Sequence, residues 1–349
     1  MRASGELRFT GVAFARAHAV WHVTHDPTTR DVVYACSADG YTHPCARTRD
    51  ESSSSSVVWR SDAPLERAHS RAVRCCAISP CGRMLASASF DGTCAVYVRA
   101  PAPARAWRRA CALEGHESEA KHCAWSPSGS LLATCGRDRT VWVWEAHGEE
   151  EFECVAALHG HSGDVKGVTW HPSEDVLVSA SYDESVRVWR EDDDGDDWSC
   201  AQVLGGENGD GGEGHNGTVW RVSFEPRRRE DGRAGTRCVS CGGDGEFVVW
   251  NGSGFCHTEL AFGARFACGH DKAVLSCHWG TNGFIAAGGG DNSVRVYGEG
   301  DDGVWRQVAC VENAHDDDVN HVEWSPHDPM ELISCSDDGS VKTWTFVVA

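Results

Sequence analysis

Positive charge is scarce in this sequence of 349 residues. Lys and Arg number 32 against 52 Asp and Glu, so the formal net charge is −20. So acidic a chain argues against general binding to nucleic acid, whose phosphates attract basic surfaces. Apolar runs of membrane length are absent, and the first 16 residues lack the apolar core of a signal peptide. We therefore expect neither nucleic acid nor a membrane as a direct partner.

Cysteine pairs with zinc-ligand spacing are also lacking. Among 18 cysteines, Cys238 and Cys241 form the only C-x-x-C pair, and no second pair stands at finger spacing. The pair lies in a predicted strand, where residues three apart face opposite sides. The adjacent Cys75 and Cys76 are interpreted as strand-borne structural thiols in the same way. These patterns predict buried thiols in a reducing compartment, cytosolic or nuclear, with no resident metal or cofactor.

A phosphate-binding loop is missing too. The glycine-rich segment 205–214 has three acidic residues, no Lys and no helix after it, so it cannot cradle an anion. The serine run 52–56 and the basic segment 226–235 are predicted to be inserted loops. The acidic segments 191–197 and 299–302 are expected to be solvated loops, with an acidic docking strip as the alternative.

What the sequence does contain is a repeat. Seven times a His is followed 21 to 29 residues later by an Asp in a tight-turn context, and six residues after that Asp stands Cys45, Tyr97, Trp144, Trp189, Trp250, Tyr297 or Trp344. Successive Asp residues are 52, 47, 45, 61, 47 and 47 apart, a spacing typical of the blades of a β-propeller. The pairs are His18/Asp39, His69/Asp91, His116/Asp138, His161/Asp183, His215/Asp244, His270/Asp291 and His315/Asp338.

Each repeat contains short strands separated by turn residues, as in 120–125, 131–135, 140–144 and 154–158. The last repeat has three strands, so residues 6–14 are expected to supply its fourth and leave no bare edge. The prediction is an all-β, single-domain, seven-bladed propeller over residues 1–349. Its approximate blades are 15–60, 61–107, 108–152, 153–200, 201–257, 258–308, and 309–349 with 6–14.

Four repeats carry a polar set within otherwise apolar strands. A Trp N–H can donate to a hydroxyl, the hydroxyl to His and the His to Asp, and buried polar groups paired in this way are tolerated. A Ser/His/Asp set also suggests a catalytic triad, but four sets at four azimuths cannot form one active site, so a structural role is preferred. The sets are His116, Thr134, Asp138 and Trp144; His161, Ser179, Asp183 and Trp189; His215, Ser240, Asp244 and Trp250; and His315, Ser334, Asp338 and Trp344. The first and sixth blades lack parts of the set and are expected to be less rigid.

One face of the ring is expected to carry a basic and aromatic patch. The turns that hold the repeat Asp and the starts of the inner strands both face this surface near the axis. Arg and Trp are frequent binding hot spots, and Arg binds carboxylates through two hydrogen bonds. We therefore predict a pocket for an acidic or C-terminal peptide segment with an aromatic residue, against the alternative of ordinary exposed residues. Its members are Trp21, Arg74, Lys121, Lys166 and Trp220, with Phe90, Arg137 and Tyr182 beside them.

Several stretches resemble one WD-repeat family, the scaffold of the cytosolic iron–sulfur protein assembly machinery. The matching stretches are 85–93, 113–145, 152–198, 215–224 and 314–344, in particular CGRDRTVWVWE and SASYDESVRVWREDDD. The resemblance implies a non-enzymatic adaptor whose functional arginine, in the turn before the repeat Asp, falls on Arg137. Blade one departs from the pattern, with Cys45 in the Trp position, and 205–214 is an insertion.

The implied partners follow from that family. They are a small carboxylate-rich subunit with a reactive Cys, a large helical-repeat adaptor, an iron-hydrogenase-like cluster carrier, and client iron–sulfur apoproteins of the cytosol and nucleus. Two other functions stay open. One is a different WD-repeat adaptor, such as a ubiquitin-ligase substrate receptor or a chromatin reader, and the other is an enzyme or a cluster-binding protein.

Overall fold

A computed structural model of the chain describes residues 4–49, 57–101, 106–192, 195, 197–206, 214–226, 237–252 and 259–348. Within these ranges, strands β1 to β28 form seven four-stranded antiparallel sheets. The predicted all-β, seven-bladed propeller is confirmed. The predicted loop 52–56, and most of the predicted loops 226–235 and 205–214, lie outside the described residues.

The strands of the first three blades follow one another in chain order. The N-terminal strand β1 spans Gly5–Ala15. Blade 1 consists of β2 (Val20–His25), β3 (Val32–Ser37), β4 (Thr42–Arg49) and β5 (Val57–Ser61). Blade 2 consists of β6 (Val73–Ile78), β7 (Met84–Ser89), β8 (Thr93–Arg99) and β9 (Trp107–Glu114). Blade 3 consists of β10 (Ala120–Trp125), β11 (Leu131–Gly136), β12 (Val141–Ala146) and β13 (Phe152–Leu158).

The last four blades repeat the same order. Blade 4 consists of β14 (Val165–Trp170), β15 (Leu177–Ser181), β16 (Ser185–Glu191) and β17 (Trp198–Gly205). Blade 5 consists of β18 (Val219–Phe224), β19 (Arg237–Gly242), β20 (Glu246–Gly252) and β21 (Leu260–Ala267). Blade 6 consists of β22 (Val274–Trp279), β23 (Ile285–Gly289), β24 (Val294–Glu299) and β25 (Trp305–Val311). Blade 7 consists of β26 (Val319–Trp324), β27 (Glu331–Ser336) and β28 (Ser340–Val348), with β1 as its outer strand.

The inner strand of each blade packs beside that of the next, and β26 packs against β2, so the ring is closed. The closure is made by β1, which pairs antiparallel with β28 from Gly5 opposite Val348 to Ala15 opposite Ser340. Leu7 of β1 lies in the same apolar cluster as Phe346 of β28. The two ends of the chain therefore share one sheet and one core, as the sequence predicted.

The core lies between blades, where the aromatic residue that ends an inner strand packs on its neighbour. Trp125 of β10 donates its Nε1–H to the Ala77 carbonyl of blade 2 at 3.2 Å. Trp170 of β14 donates to the Ala124 carbonyl of blade 3 at 2.9 Å. A buried ring removes about 150–250 Å² from water, at about 25 cal/mol per Å² of apolar surface. Blade-to-blade contacts thus supply much of the stability of the ring.

The outer strands correct the predicted blade limits. The limits at 107, 152, 200, 257 and 308 cut into an outer strand or precede it, whereas the structure places that strand in the sheet before it. The repeat marks of His, Asp and Trp lie on or beside the three inner strands, and outer strands such as β9 and β13 are mostly half-buried or exposed. They therefore lack the apolar pattern that would have located them. The blades end instead at Ser61, Glu114, Leu158, Gly205, Ala267 and Val311.

The turn after the second strand of each blade has a common backbone conformation. The residue that follows the repeat Asp has a positive φ, and it is Gly at four of the seven positions. Arg139 (φ 68°) and Glu184 (φ 67°) take this conformation without being glycine. The Asp carboxylate accepts the N–H two residues on, as Asp138 does from Thr140 at 3.1 Å, which fixes the turn on the same face in every blade.

No helix that is both long and apolar enough to span a bilayer is found in the described ranges.

Candidate functional site

The four predicted polar sets form hydrogen-bonded chains inside blades 3, 4, 5 and 7. In blade 4, Trp189 Nε1–H donates to Ser179 Oγ at 2.8 Å, Ser179 Oγ lies 2.7 Å from His161 Nε2, and His161 Nδ1 lies 2.8 Å from Asp183. The corresponding Trp, hydroxyl, His and Asp distances in the other three blades run from 2.8 to 3.0 Å. Each chain joins the inner part of a blade to its turn.

The remaining blades show how this chain varies. In blade 2, His69 contacts Ser87 at 2.8 Å and Asp91 at 3.3 Å. In blade 6, His270 contacts Asp291 at 2.8 Å, but its Nε2 has no partner among the described residues. The reason is that Ala287 stands where blades 2, 3, 4, 5 and 7 carry a hydroxyl.

Blade 1 departs further from the predicted pairing. His18 is exposed, and Asp39 instead lies 2.8 Å from Nε2 of His43 in β4. Ala35 and Cys45 stand at the hydroxyl and Trp positions, so this blade lacks the side chains that hydrogen-bond the His in other blades. His43, on the third strand of the blade, contacts Asp39 instead.

The Asp carboxyl groups of these hydrogen-bonded sets are stabilised as anions. Burial of Asp183 opposes ionisation, but His161, Ser185 and the Ser162 N–H together outweigh it and hold the pKa below its ordinary value. Burial also lowers the pKa of His161 despite Asp183, so this imidazole is neutral at pH 7. The four sets lie in four different sheets, so they do not converge on one reaction centre.

A second polar group lies on the face of the ring that carries the Asp turns. Here a cavity of about 390 Å³ opens between blades 2, 3 and 4. We call it the upper pocket, and it is lined by Phe90, Glu119, Lys121, Arg137, Asp164, Lys166 and Tyr182. Five of the eight residues predicted for this face line the pocket.

The other three predicted residues flank the pocket. The Trp21 ring lies 5.1 Å from Phe90, between ring centroids. Arg74 lies beneath them, with its guanidinium 5.7 Å from the Trp21 ring and Nη1 donating to the Trp21 carbonyl at 2.9 Å. On the other side, Lys166 Nζ lies 5.3 Å from the Tyr182 ring and 5.2 Å from the Trp220 ring.

The pocket is not purely basic, because it contains two acids that the sequence interpretation missed. Glu119 lies 3.3 Å from Arg137 and 3.4 Å from Arg71. Asp164 lies 3.0 Å from Lys121 and 3.3 Å from Lys166. Each acid is therefore shared by two cations. The sequence does indicate that both acids face the pocket, since Glu119 and Asp164 each stand directly before an inner strand.

These ion pairs fix the protonation states of the pocket. The Ser118 hydroxyl and the local backbone, with Arg137, lower the pKa of Glu119 to about 2. Burial disfavours the Asp164 anion, but Lys121 and Lys166 outweigh it and lower that pKa. Cations outnumber acids among the lining residues, and the Arg137 side chain is 59% exposed. The pocket thus keeps a positive rim beside the exposed ring of Tyr182.

A third group lines the channel through the ring. His22 and His321 stack with ring centroids 3.9 Å apart, and the His122 ring lies 5.6 Å from His22. Burial, followed by Arg221 for His22 and His122 and by His22 for His321, lowers the pKa of all three. Cys75 lies close enough to His22 and His122 for the three to hold a metal ion. The sequence interpretation missed this group because its members belong to four different blades.

The cysteines predicted to be structural lie on opposite faces of their strands. Cys238 packs in the cluster between blades 4 and 5, whereas Cys241 packs in the cluster between blades 5 and 6. Cys75 and Cys76 are divided in the same way between two clusters. Every cysteine of the described ranges is a free thiol.

Comparison with known proteins places these features in context. The WD domain, G-beta repeat family matches residues 63–97, 107–145, 152–190, 264–298 and 306–345. Three similar proteins are all named "Probable cytosolic iron-sulfur protein assembly protein 1". That of Scheffersomyces stipitis is 41% identical over 81% of this chain and 86% of its own length. That of Vanderwaltozyma polyspora is 40% identical over 80% and 83%, and that of Candida albicans is 38% identical over 81% and 86%.

Proposed function

Because the chain belongs to the WD40-repeat family of cytosolic iron–sulfur protein assembly protein 1, we propose that it is a non-enzymatic adaptor of that machinery. It docks partner proteins on a rigid ring and so directs iron–sulfur clusters to cytosolic and nuclear apoproteins. The expected partners are the small carboxylate-rich subunit with a reactive Cys, the large helical-repeat adaptor, the iron-hydrogenase-like carrier and the clients. Residence in the cytosol, and in the nucleus, follows from the same role.

The observation that carries the proposal is the composition of the upper pocket. Arg137 is largely exposed, so solvent screens its 3.3 Å pairing with Glu119 from the arginine side, and solvent-screened ion pairs are worth about 0–1 kcal/mol. An incoming carboxylate can therefore take the free face of the guanidinium at little cost. Tyr182, 61% exposed, stands on the opposite wall as a ring on which an aromatic side chain can pack.

The geometry thus favours a short segment that presents a carboxylate and an aromatic ring together. Lys121 and Lys166 complete the positive wall, and they are held in place by Asp164 and by the Phe90, Tyr182 and Trp220 rings. A pre-ordered pocket loses little entropy on binding. An acidic or C-terminal peptide of a partner protein is the ligand class we propose.

A complementation experiment tests this function. Cells depleted of the protein should lose activity of cytosolic iron–sulfur enzymes and retain that of organellar ones, and the wild-type chain should restore it. We expect Arg137→Glu to fail and Arg139→Glu to succeed, because Arg139 does not line the pocket and Glu184 occupies the same turn position in blade 4.

Two results would contradict the proposal. Unchanged cytosolic iron–sulfur enzymes after depletion would remove the assembly role. Affinity capture that recovered ubiquitin-ligase or histone-modifying subunits, without the small Cys-bearing subunit and the helical-repeat adaptor, would support a different WD-repeat adaptor instead.

A further inference from the structure

The channel contains three donors that suit a metal ion and that the adaptor role does not use. The nearest ligand atoms of His22, Cys75 and His122 all lie within 4.8 Å of one another. The three residues are 6%, 1% and 8% exposed. They come from the inner strands of blades 1, 2 and 3, so only the closed ring brings them together.

Two buried nitrogens beside these donors have no protein partner. Nδ1 of His22 and Nδ1 of His321 are buried without a hydrogen bond in the described part of the chain. A buried polar atom without a partner is destabilising, and a ligand bound in the channel would remove that penalty where it contacts the nitrogen. The Val168 N–H reaches His122 Nδ1 only at 3.4 Å, so turning that ring toward a ligand sacrifices little.

An ion can approach two of the three donors from solvent. A cavity of about 370 Å³ in the channel is lined by His22 and His122, among others, whereas Cys75 is not one of its lining residues. Donor identity, donor spacing and an approach to the two imidazoles are among the features expected of a metal site.

We propose that His22, Cys75 and His122 bind one Cu⁺ ion in the channel. A thiolate with two imidazoles is a soft donor set, which suits Cu⁺ and Zn²⁺. Binding exchanges the thiol proton of Cys75, which leaves to solvent, for the metal–sulfur bond, with no change of oxidation state. The site would stand beside the iron–sulfur adaptor function and does not depend on it.

The surrounding charge selects between the two ions. Arg74 and Arg221 act on the same imidazoles through their positive charge. One thiolate neutralises Cu⁺, whereas Zn²⁺ would leave a net positive charge next to the buried Arg221 and the half-buried Arg74, which is costly in a medium of low dielectric. We therefore expect the protein to prefer Cu⁺.

The test is a competition titration of the whole chain under strict reduction. Purified protein is freed of metal with a chelator and titrated with Cu⁺ against bathocuproine disulfonate, and with Zn²⁺ against a chromogenic zinc chelator. Excess competitor keeps Cu⁺ from the more exposed thiols, such as Cys81 and Cys154. We expect one tightly held equivalent of Cu⁺, and a copper X-ray absorption spectrum with one sulfur and two nitrogen neighbours.

Cys75→Ser is the decisive variant and Cys76→Ser its matched control, since both thiols are buried in the same strand. Loss of a hydrogen-bonded partner of a ligand already weakens metal binding about 10–100-fold, so Cys75→Ser should weaken it at least as much. Cys76→Ser should keep the full equivalent. Circular dichroism and thermal unfolding of both variants report whether each is folded.

Three outcomes would overturn the proposal. These are a wild-type chain that holds no equivalent of Cu⁺, a folded Cys75→Ser variant that holds it unchanged, or tighter binding of Zn²⁺ than of Cu⁺. His122→Gln supplies an independent check if Cys75→Ser does not fold, and it should lose the equivalent while remaining a monodisperse ring.

Discussion

At the scale of single residues, the repeat buries polar groups without leaving their hydrogen-bonding capacity unsatisfied. Each Trp, hydroxyl, His and Asp chain lets a blade bury a charged turn anchor within apolar strands, because every donor meets an acceptor. Blade 6 shows what happens when one link is missing, since Ala287 leaves His270 Nε2 without a partner in the described structure.

Ala287→Ser should therefore stabilise the protein. The new hydroxyl would reach His270 Nε2, and the same arrangement exists in blade 2, where Ser87 serves His69 beside Tyr97. We expect a gain of about 0.5–1.5 kcal/mol in the free energy of unfolding, measured in urea. The reverse change, Ser87→Ala, should cost about 1–3 kcal/mol. Equal and negligible effects of both variants would contradict the assigned role of the hydroxyl.

The repeat carboxyls predict a decline of stability in acid. Their pKa values in the folded chain lie below the ordinary value near 3.8, as for Asp138, Asp183 and Asp244. Below about pH 4 these carboxyls bind more protons in the unfolded chain than in the folded chain, so the free energy of unfolding falls as the pH falls. Asp183→Asn should reduce that slope between pH 4 and pH 3 relative to wild type. An unchanged slope would show that Asp183 does not contribute to acid unfolding.

At the scale of strands, the closure by β1 holds the ring together. Deletion of this strand would leave β28 as an open edge, which is prone to pairing with other chains. The edge is covered by main-chain pairing along β1 and by Leu7, which is 6% exposed and packs with Phe346.

Leu7→Ala should cost about 2–5 kcal/mol through the lost contacts and the cavity. Val12→Ala is the matched control in the same strand, because Val12 is 43% exposed and should cost well under half as much. Urea unfolding monitored by tryptophan fluorescence measures both. If the two variants unfold alike, β1 does not close the ring through its apolar face.

The strand level also shows how far sequence reasoning reaches. The inner three strands of a blade could be predicted because Trp144, Trp189 and their counterparts recur in buried positions. The outer strands could not be delimited, because their exposed faces impose no pattern on the residues. His43 could not be foreseen as the partner of Asp39, because in the other six blades the His that contacts the repeat Asp lies before the inner strand.

At the scale of the whole molecule, the ring brings together residues that are far apart in the chain. The upper pocket was predictable in outline, because Lys121 and Lys166 occupy equivalent positions at the starts of inner strands and Arg137 stands directly before a repeat Asp. The charge balance of the pocket could not be predicted, because only the structure shows that Glu119 and Asp164 lie within ion-pair distance of its cations. The channel donors His22, Cys75 and His122 require knowledge of which side of each inner strand faces the axis.

The central claim is that the upper pocket captures a carboxylate together with an aromatic ring. A direct test is fluorescence anisotropy with a labelled peptide of Gly, Ser and Asp that ends in Asp-Trp with a free carboxylate, and with its amidated form and a Trp-free form as references. We expect saturable binding by wild type and by Arg139→Glu. Arg137→Glu should weaken it at least about thirtyfold, the change that a hot-spot loss of about 2 kcal/mol gives. Equal affinity of wild type and a folded Arg137→Glu variant would contradict the account.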